Sequence, residues 1–311
     1  MGLGLAALGR PAYVTGGRAG DLGANRTVES MRARTHAMLD LAVAHGVHYL
    51  DAARSYGLAE EFLSTWLAGR RTREHLVVAS KWGYTYVGDW RTDAEVHERK
   101  DHSLASFVRQ SAESTDLLGD ALSLYSIHSV TPQSRTLADR ALLERLSRWS
   151  REHGIRLGLS TSGPQQAEVV LAALRVQVDG QQLFSAVQAT WNVLEPSAGP
   201  ALQQAHDAGL LVVVKEGLAN GRLAGDEAPA LLRAAADDAG TTPDALSLAV
   251  VLAQPWSPLV LSGAVTDVQL LSNLAARSVP TQTALATADA LNALCEEPNA
   301  YWDERSARPW A

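Results

Sequence analysis

The sequence predicts a closed (β/α)8 barrel built as a single domain over residues 1–311. Two observations point there. Short apolar segments recur near 3–7, 46–50, 75–80, 122–127, 155–159, 183–187, 210–214 and 258–261, each followed by a turn and a stretch able to form a helix. These segments do not alternate apolar with polar, which suits parallel strands buried on both faces. Repeated strand-then-helix units build a mostly parallel sheet, and eight of them in about 300 residues is the number that closes a barrel.

The units can be taken in order. The stretches "AVAHGVHYLD", "SREHGIRLGLS" and "AHDAGLLVVVKE" each read as a helix end, a glycine (Gly46, Gly154, Gly209) and an apolar strand. A glycine just past a helix satisfies its last carbonyls in a left-handed conformation. Met38, Leu41 and Ala42 share one helical face in the first of these units, and Leu142, Leu146 and Trp149 share one in the second. A doubly wound open sheet is the alternative, but "GLGLAALG" spaces its glycines wrongly for a dinucleotide fingerprint. The segment 17–27 reads as a glycine-rich loop, 82–102 as a long aromatic-rich insertion, and 296–311 as a tail; the last two are expected near the active-site face.

Composition excludes several classes. The chain is 46% hydrophobic and 20% charged, as globular proteins are. A net charge of −7 argues against a nucleic-acid binder. One cysteine, Cys295, cannot form an internal disulfide. Without a leader-like N-terminus or an apolar run of roughly 18 residues, a cytoplasmic, membrane-free location is expected. Oligomeric state leaves no mark on the sequence.

In such barrels the chemistry sits at the C-terminal ends of the strands. The second strand ends on Asp51, the third on Lys81 and the fourth on His128, and Tyr56 follows the second strand on a turn closed by Gly57. Only three lysines occur in the chain, Lys81, Lys100 and Lys215, so one closing an apolar strand stands out. A tyrosine near pKa 10 is a poor proton donor at neutrality. A neighbouring ammonium, held charged by a carboxylate, is expected to lower that pKa, and an imidazole can orient a carbonyl oxygen. Such a tyrosine can protonate a carbonyl oxygen as the carbon is reduced. Each residue alone also fits an ordinary structural role; their convergence on one rim is what suggests chemistry. No metal-ligand spacing appears.

These motifs resemble the aldo-keto reductase superfamily. "LDAARSYGLAE", "VASKWG" and "YSIHSV" resemble the segments that carry its catalytic aspartate, tyrosine, lysine and histidine, here Asp51, Tyr56, Lys81 and His128. "LGLSTSG", "VQATWNVLE", "LLVVVKEGLANGRL" and "LVLSGAVTDVQLLSNL" follow in family order, so the likeness covers nearly the whole chain. The resemblance implies reduction of an aldehyde or ketone, or oxidation of the matching alcohol or sugar, with NADPH or NADH and with Tyr56 as general acid or base. It assigns Ser160 and Gln188 to the nicotinamide carboxamide, Gln269 and Asn273 to the adenine side, and Gly263 and Ala264 to the phosphate loop. NADPH is the first expectation, from the family's habit. Lys215 stands where the family often stacks a tyrosine on the nicotinamide, and pairing with Glu216, a phosphate or a substrate anion is expected for it. Val265 stands where many relatives carry an arginine for the NADP 2′-phosphate. The sequence opens almost at the first predicted strand, and the family's N-terminal hairpin over the barrel floor is expected to be missing from it.

Trp82, Tyr84, Trp90 and Trp191, with Tyr86, suggest a rim for flat apolar faces such as sugar rings or aromatic ketones. His97, Lys100, Asp101 and His102 read as a solvated loop face. Two other functions compete with carbonyl reduction: a Schiff-base aldolase or isomerase using Lys81, and a non-catalytic cofactor-binding regulatory subunit.

Overall fold

The computed structural model describes residues 1–14, 19–70 and 75–310, so the start of the predicted 17–27 loop lies outside the described residues. Eight parallel strands close a barrel: β1 (Gly2–Gly4), β2 (Tyr49–Asp51), β3 (Val77–Trp82), β4 (Leu122–Val130), β5 (Arg156–Thr161), β6 (Ala186–Thr190), β7 (Leu211–Lys215) and β8 (Leu259–Ser262). β1 pairs with both β2 and β8, which closes the ring. The open-sheet alternative is thereby excluded. The strands mostly begin one to three residues later than their apolar runs suggest, because each run opens with residues of the turn before it.

Helices ring the barrel, and their ends follow side-chain chemistry. The Thr27 hydroxyl accepts from the Ser30 amide and starts α1 (Val28–Ala44). α2 (Ala59–Ala68) follows the Tyr56 turn. Ser103 caps α3 (Leu104–Leu118) and Asp139 caps α4 (Arg140–His153) in the same way. Gly154 ends α4 at φ 67°, where a side chain would be strained. On α4, Leu142, Leu146 and Trp149 form the buried face. On α1, Met38 and Ala42 are buried with Met31, Thr35 and Leu39, and Leu41 sits at the edge of that face. Thr266 caps α5 (Asp267–Ala275), which follows β8.

The inside of the barrel is layered by the two-residue period of the strands. Tyr49, Ala79, Leu124, Ala186, Val213 and Leu261 pack together as an apolar floor. Two residues further along their strands stand Asp51, Lys81, Ser126, Gln188, Lys215 and Gly263. One step of pleat therefore changes the interior from apolar to largely polar, at the end where the candidate site lies.

The 82–102 insertion forms a short antiparallel hairpin, Tyr84–Tyr86 with Glu98–Lys100. The tail forms α6 (Pro298–Ala307) and then bridges Trp310 to Val14. No helix among the described residues is long and apolar enough to cross a membrane.

Candidate active site

Asp51, Tyr56, Lys81 and His128 converge at the mouth. Lys81 Nζ donates to Asp51 Oδ2 at 2.5 Å, to the Ala52 carbonyl at 2.9 Å and to the Tyr56 hydroxyl oxygen at 3.4 Å. The Tyr56 and His128 rings meet edge to face with centroids 5.5 Å apart. His128 Nδ1 shares a 3.4 Å hydrogen bond with Ser55 Oγ. All four side chains are buried; Tyr56 is the most open, with His128, at 9%.

The Tyr56 turn is held where it is by a close backbone contact. The Leu58 amide donates to the Gly9 carbonyl at 2.7 Å. Gly57 has φ +59°, and a Cβ there would lie 2.3 Å from that same carbonyl oxygen. Only glycine fits such a fold of the chain.

Burial raises the Tyr56 phenol well above its usual pKa, and Asp51 adds to the rise, against the opposing pull of Arg10. This reverses the expected lowering. Asp51 lies closer to the Lys81 ammonium than the phenol does and takes up its charge, so desolvation dominates at Tyr56. Burial likewise drives His128 well below its usual value, with Lys81, Arg10 and Lys215 acting in the same direction. At neutral pH the site thus offers a protonated phenol and a neutral imidazole.

The residues expected to meet a nicotinamide dinucleotide lie at the consecutive strand ends β5 to β8 and, for Gln269 and Asn273, on α5. Gln188 Nε2 donates to Asp51 Oδ1 at 3.1 Å, and Ser160 Oγ accepts from the Ser129 amide at 2.8 Å. Asn273 Nδ2 donates to Ser262 Oγ at 2.8 Å. Gln269 accepts from the Val265 amide and donates to Asp21 Oδ2 at 2.6 Å. A Cβ on Gly263 would meet nothing within 4 Å, so the backbone between β8 and α5 faces open space. An arc of amide and hydroxyl groups ending on a helix N-terminus fits an extended, anionic dinucleotide.

Lys215 donates to Thr190 Oγ1 at 2.8 Å and lies 3.6 Å from Glu216 Oε1. Burial lowers its pKa to about 8, and Glu216 holds it from falling further. Arg305 of α6 grips the Glu216 carboxylate through both Nε and Nη2. Burial alone would raise Glu216, but Arg305 and then Lys215 outweigh it and bring the carboxyl to about 2.

The aromatic residues expected at a substrate rim divide. Tyr84 lies against His128, with ring centroids 5.1 Å apart. Trp191 packs edge-on against Trp256, and its Nε1 donates to the Pro196 carbonyl. Trp82 is fully buried between His102 and Phe107, where it seats α3 on the barrel. Trp90 packs edge-on against Phe62 and donates to the Arg26 carbonyl. Trp82 and Trp90 thus each have packing partners in the loop and barrel.

On the expected solvated loop face Lys100 and Asp101 are exposed, but His97 and His102 depart from it. His97 is buried and stacks on Trp310, with centroids 4.5 Å apart and planes 7° apart. His102 Nε2 donates to the His128 carbonyl at 2.7 Å, and Lys100 donates to the Ser129 carbonyl. Sequence reasoning also missed Arg10, Glu98 and Arg305. Arg10 had one available signal: it follows Gly9, whose own Cβ would lie 2.2 Å from the Tyr56 carbonyl oxygen.

The family model described as "Aldo/keto reductase family" matches residues 3–293. The chain belongs to the aldo-keto reductase family. It is thus an oxidoreductase of the aldo-keto reductase type, a family that generally uses nicotinamide cofactors. Its fold resembles an aldo-keto reductase of Bacillus halodurans in its holo form, with TM-score 0.70 and 21% identity over 96% of this chain and 92% of that one. It also resembles a glycerol dehydrogenase of Gluconobacter oxydans, with TM-score 0.69 and 18% identity over 93% and 90%. Among curated proteins, the Escherichia coli protein tas is 39% identical over 62 residues, which span only 17% of this chain and 18% of that protein.

Proposed function

We propose that this aldo-keto reductase is an NAD(P)H-dependent carbonyl reductase, able also to oxidise the matching alcohol or sugar, in which Tyr56 moves the proton. The observation that carries this reading is the hydrogen-bonded chain from Asp51 through Lys81 to the Tyr56 hydroxyl, beside a neutral His128.

When bound, the cofactor supplies the hydride. Ser160 and Gln188 would hold its nicotinamide end, and Gly263, Ala264, Gln269 and Asn273 its adenosine and phosphate end. Lys215, on the strand end next to Gln188, would favour the uncharged reduced ring over the charged oxidised one.

Tyr56 stays protonated at neutral pH, as a general acid must. Because Lys81 donates to the phenol oxygen, the phenol's own proton is left to point at a carbonyl oxygen. His128 offers that oxygen an N–H without adding a second charge, and Tyr84 lines its far side as a substrate contact. Trp191 is the other proposed substrate contact among the rim aromatics. After transfer, Lys81 is in place to stabilise the phenolate, with Asp51 behind it.

The Schiff-base alternative needs an amine with a free lone pair. Lys81 instead spends its protons on three acceptors.

The test is a fluorescence titration with NADPH and NADH, followed by a panel of aldoses, aromatic aldehydes and cyclic ketones read at 340 nm. Saturable quenching by at least one dinucleotide, and its oxidation by one carbonyl class, are expected. Tight binding with no turnover on any class would favour the regulatory-subunit alternative.

A further inference from the structure

Arg10, in the loop after β1, is one of the largest fully buried side chains. Its place follows from two glycines: Gly9 and Gly57 let the β1 loop and the Tyr56 turn touch backbone to backbone. The next residue, Arg10, is thereby set over the phenol. Its Cζ lies 5.1 Å from the Tyr56 ring centroid, while Lys81 Nζ lies 4.8 Å from the same ring. Nη1 donates to the Ser55 carbonyl at 3.0 Å and to Glu98 Oε1 at 2.6 Å. Nε donates to the Ala6 carbonyl at 3.0 Å. The guanidinium also lies 4.6 Å from the Trp310 ring.

We propose that Arg10 is a positioning residue for proton transfer at Tyr56, locking the turn that carries the phenol and presenting a second cation to its ring, in a seat completed by Trp310 of the tail. The idea rests on the carbonyl-reductase reading for its chemical half only. The charged and titratable groups facing Tyr56 are Asp51 from β2, Lys81 from β3, His128 from β4, Glu98 from the hairpin, Glu216 beyond β7, and Tyr13 and Arg10 from the loop after β1. Arg10 favours the phenolate and Glu98 opposes it, with Arg10 the stronger of the two. The two partners of one ion pair thus act on the phenol with opposite signs.

That opposition supplies the test. Alcohol oxidation requires the phenol to lose its proton first, so turnover rises with pH below the phenol's pKa. Arg10→Met should move this rise to higher pH by about one unit or more, a roughly tenfold loss at fixed pH, and Glu98→Gln should move it to lower pH. Arg10→Lys keeps the charge and should stay near the parent profile. Affinity for NADPH and NADH, read by quenching, should stay within about twofold in all three variants, since none touches the proposed cofactor arc. Displacement of both Arg10→Met and Glu98→Gln in the same direction, or of neither, would overturn the electrostatic role, because a purely structural pair is broken equally by either change.

Hydrogen exchange in the cofactor-free protein tests the lock without turnover. Amides 55–58 should exchange at least ~10-fold faster in Arg10→Met, and faster in Trp310→Ala, than in the parent. Unchanged exchange there would overturn the positioning role. Failure of the parent protein to oxidise any alcohol would count against the reductase reading and the electrostatic role, while the exchange result still decides the lock.

Discussion

At the scale of single residues, burial decides protonation at this mouth. His102 shows it most simply. Desolvation lowers its pKa from 6.5 to about 4, with Lys100 pushing the same way. The unfolded chain therefore takes up the proton first as pH falls. The stability tied to neutral His102 is complete above about 6.5 and is lost progressively towards about 4. His102→Gln should flatten the fall of unfolding free energy across this window, as read from urea denaturation at a series of pH values. An unchanged slope would show that His102 is no source of acid sensitivity. Neither the burial of His102 nor its bond to the His128 carbonyl was legible in the sequence. Both arise because the hairpin folds back on the barrel, a long-range event that the local polar composition of "HERKDH" conceals.

At the scale of elements, α6 is held to the mouth by a partly buried ion cluster. Arg305 pairs with Glu216, and Tyr301 accepts from Asn192 Nδ2 at 3.0 Å. Removing one partner of a buried pair leaves the other charge uncompensated, which costs several kcal/mol. Arg305→Met should cost about 1–2 kcal/mol, below the figure for a fully buried pair, seen as a lower denaturation midpoint, and should speed proteolytic release of the tail. Lys215 still neighbours Glu216 and limits the loss. Eight strands could be read from short apolar runs, and the faces of α1 and α4 from helical periodicity. The tail was expected near the active-site face, but its individual contacts could not be read, because Arg305, Tyr301 and Trp310 find partners far away in the chain. The expected pairing of Lys215 with Glu216 matches the geometry; the guanidinium that takes most of that carboxylate was not foreseen.

At the scale of the whole molecule, the barrel turns a two-residue rhythm into a site. Strands that put Tyr49, Ala79 and Val213 into the floor must put Asp51, Lys81 and Lys215 above it. This is why the ends of the second and third predicted strands, Asp51 and Lys81, fall in the polar layer, while His128, the end of the fourth, stands two residues beyond Ser126 of that layer. It could not find Arg10, Glu98 or Trp310, which reach Tyr56 from loops and the tail, where no period links neighbours in sequence to neighbours in space. The floor itself is filled from within by Tyr49 and its apolar neighbours. The central claim is that the hydroxyl of Tyr56 delivers the proton. Its most direct test is single-turnover reduction by Tyr56→Phe loaded with reduced cofactor, followed at 340 nm. We predict unaltered cofactor binding and a chemical step slowed at least ~10²-fold; a step as fast as that of the parent protein would contradict the account.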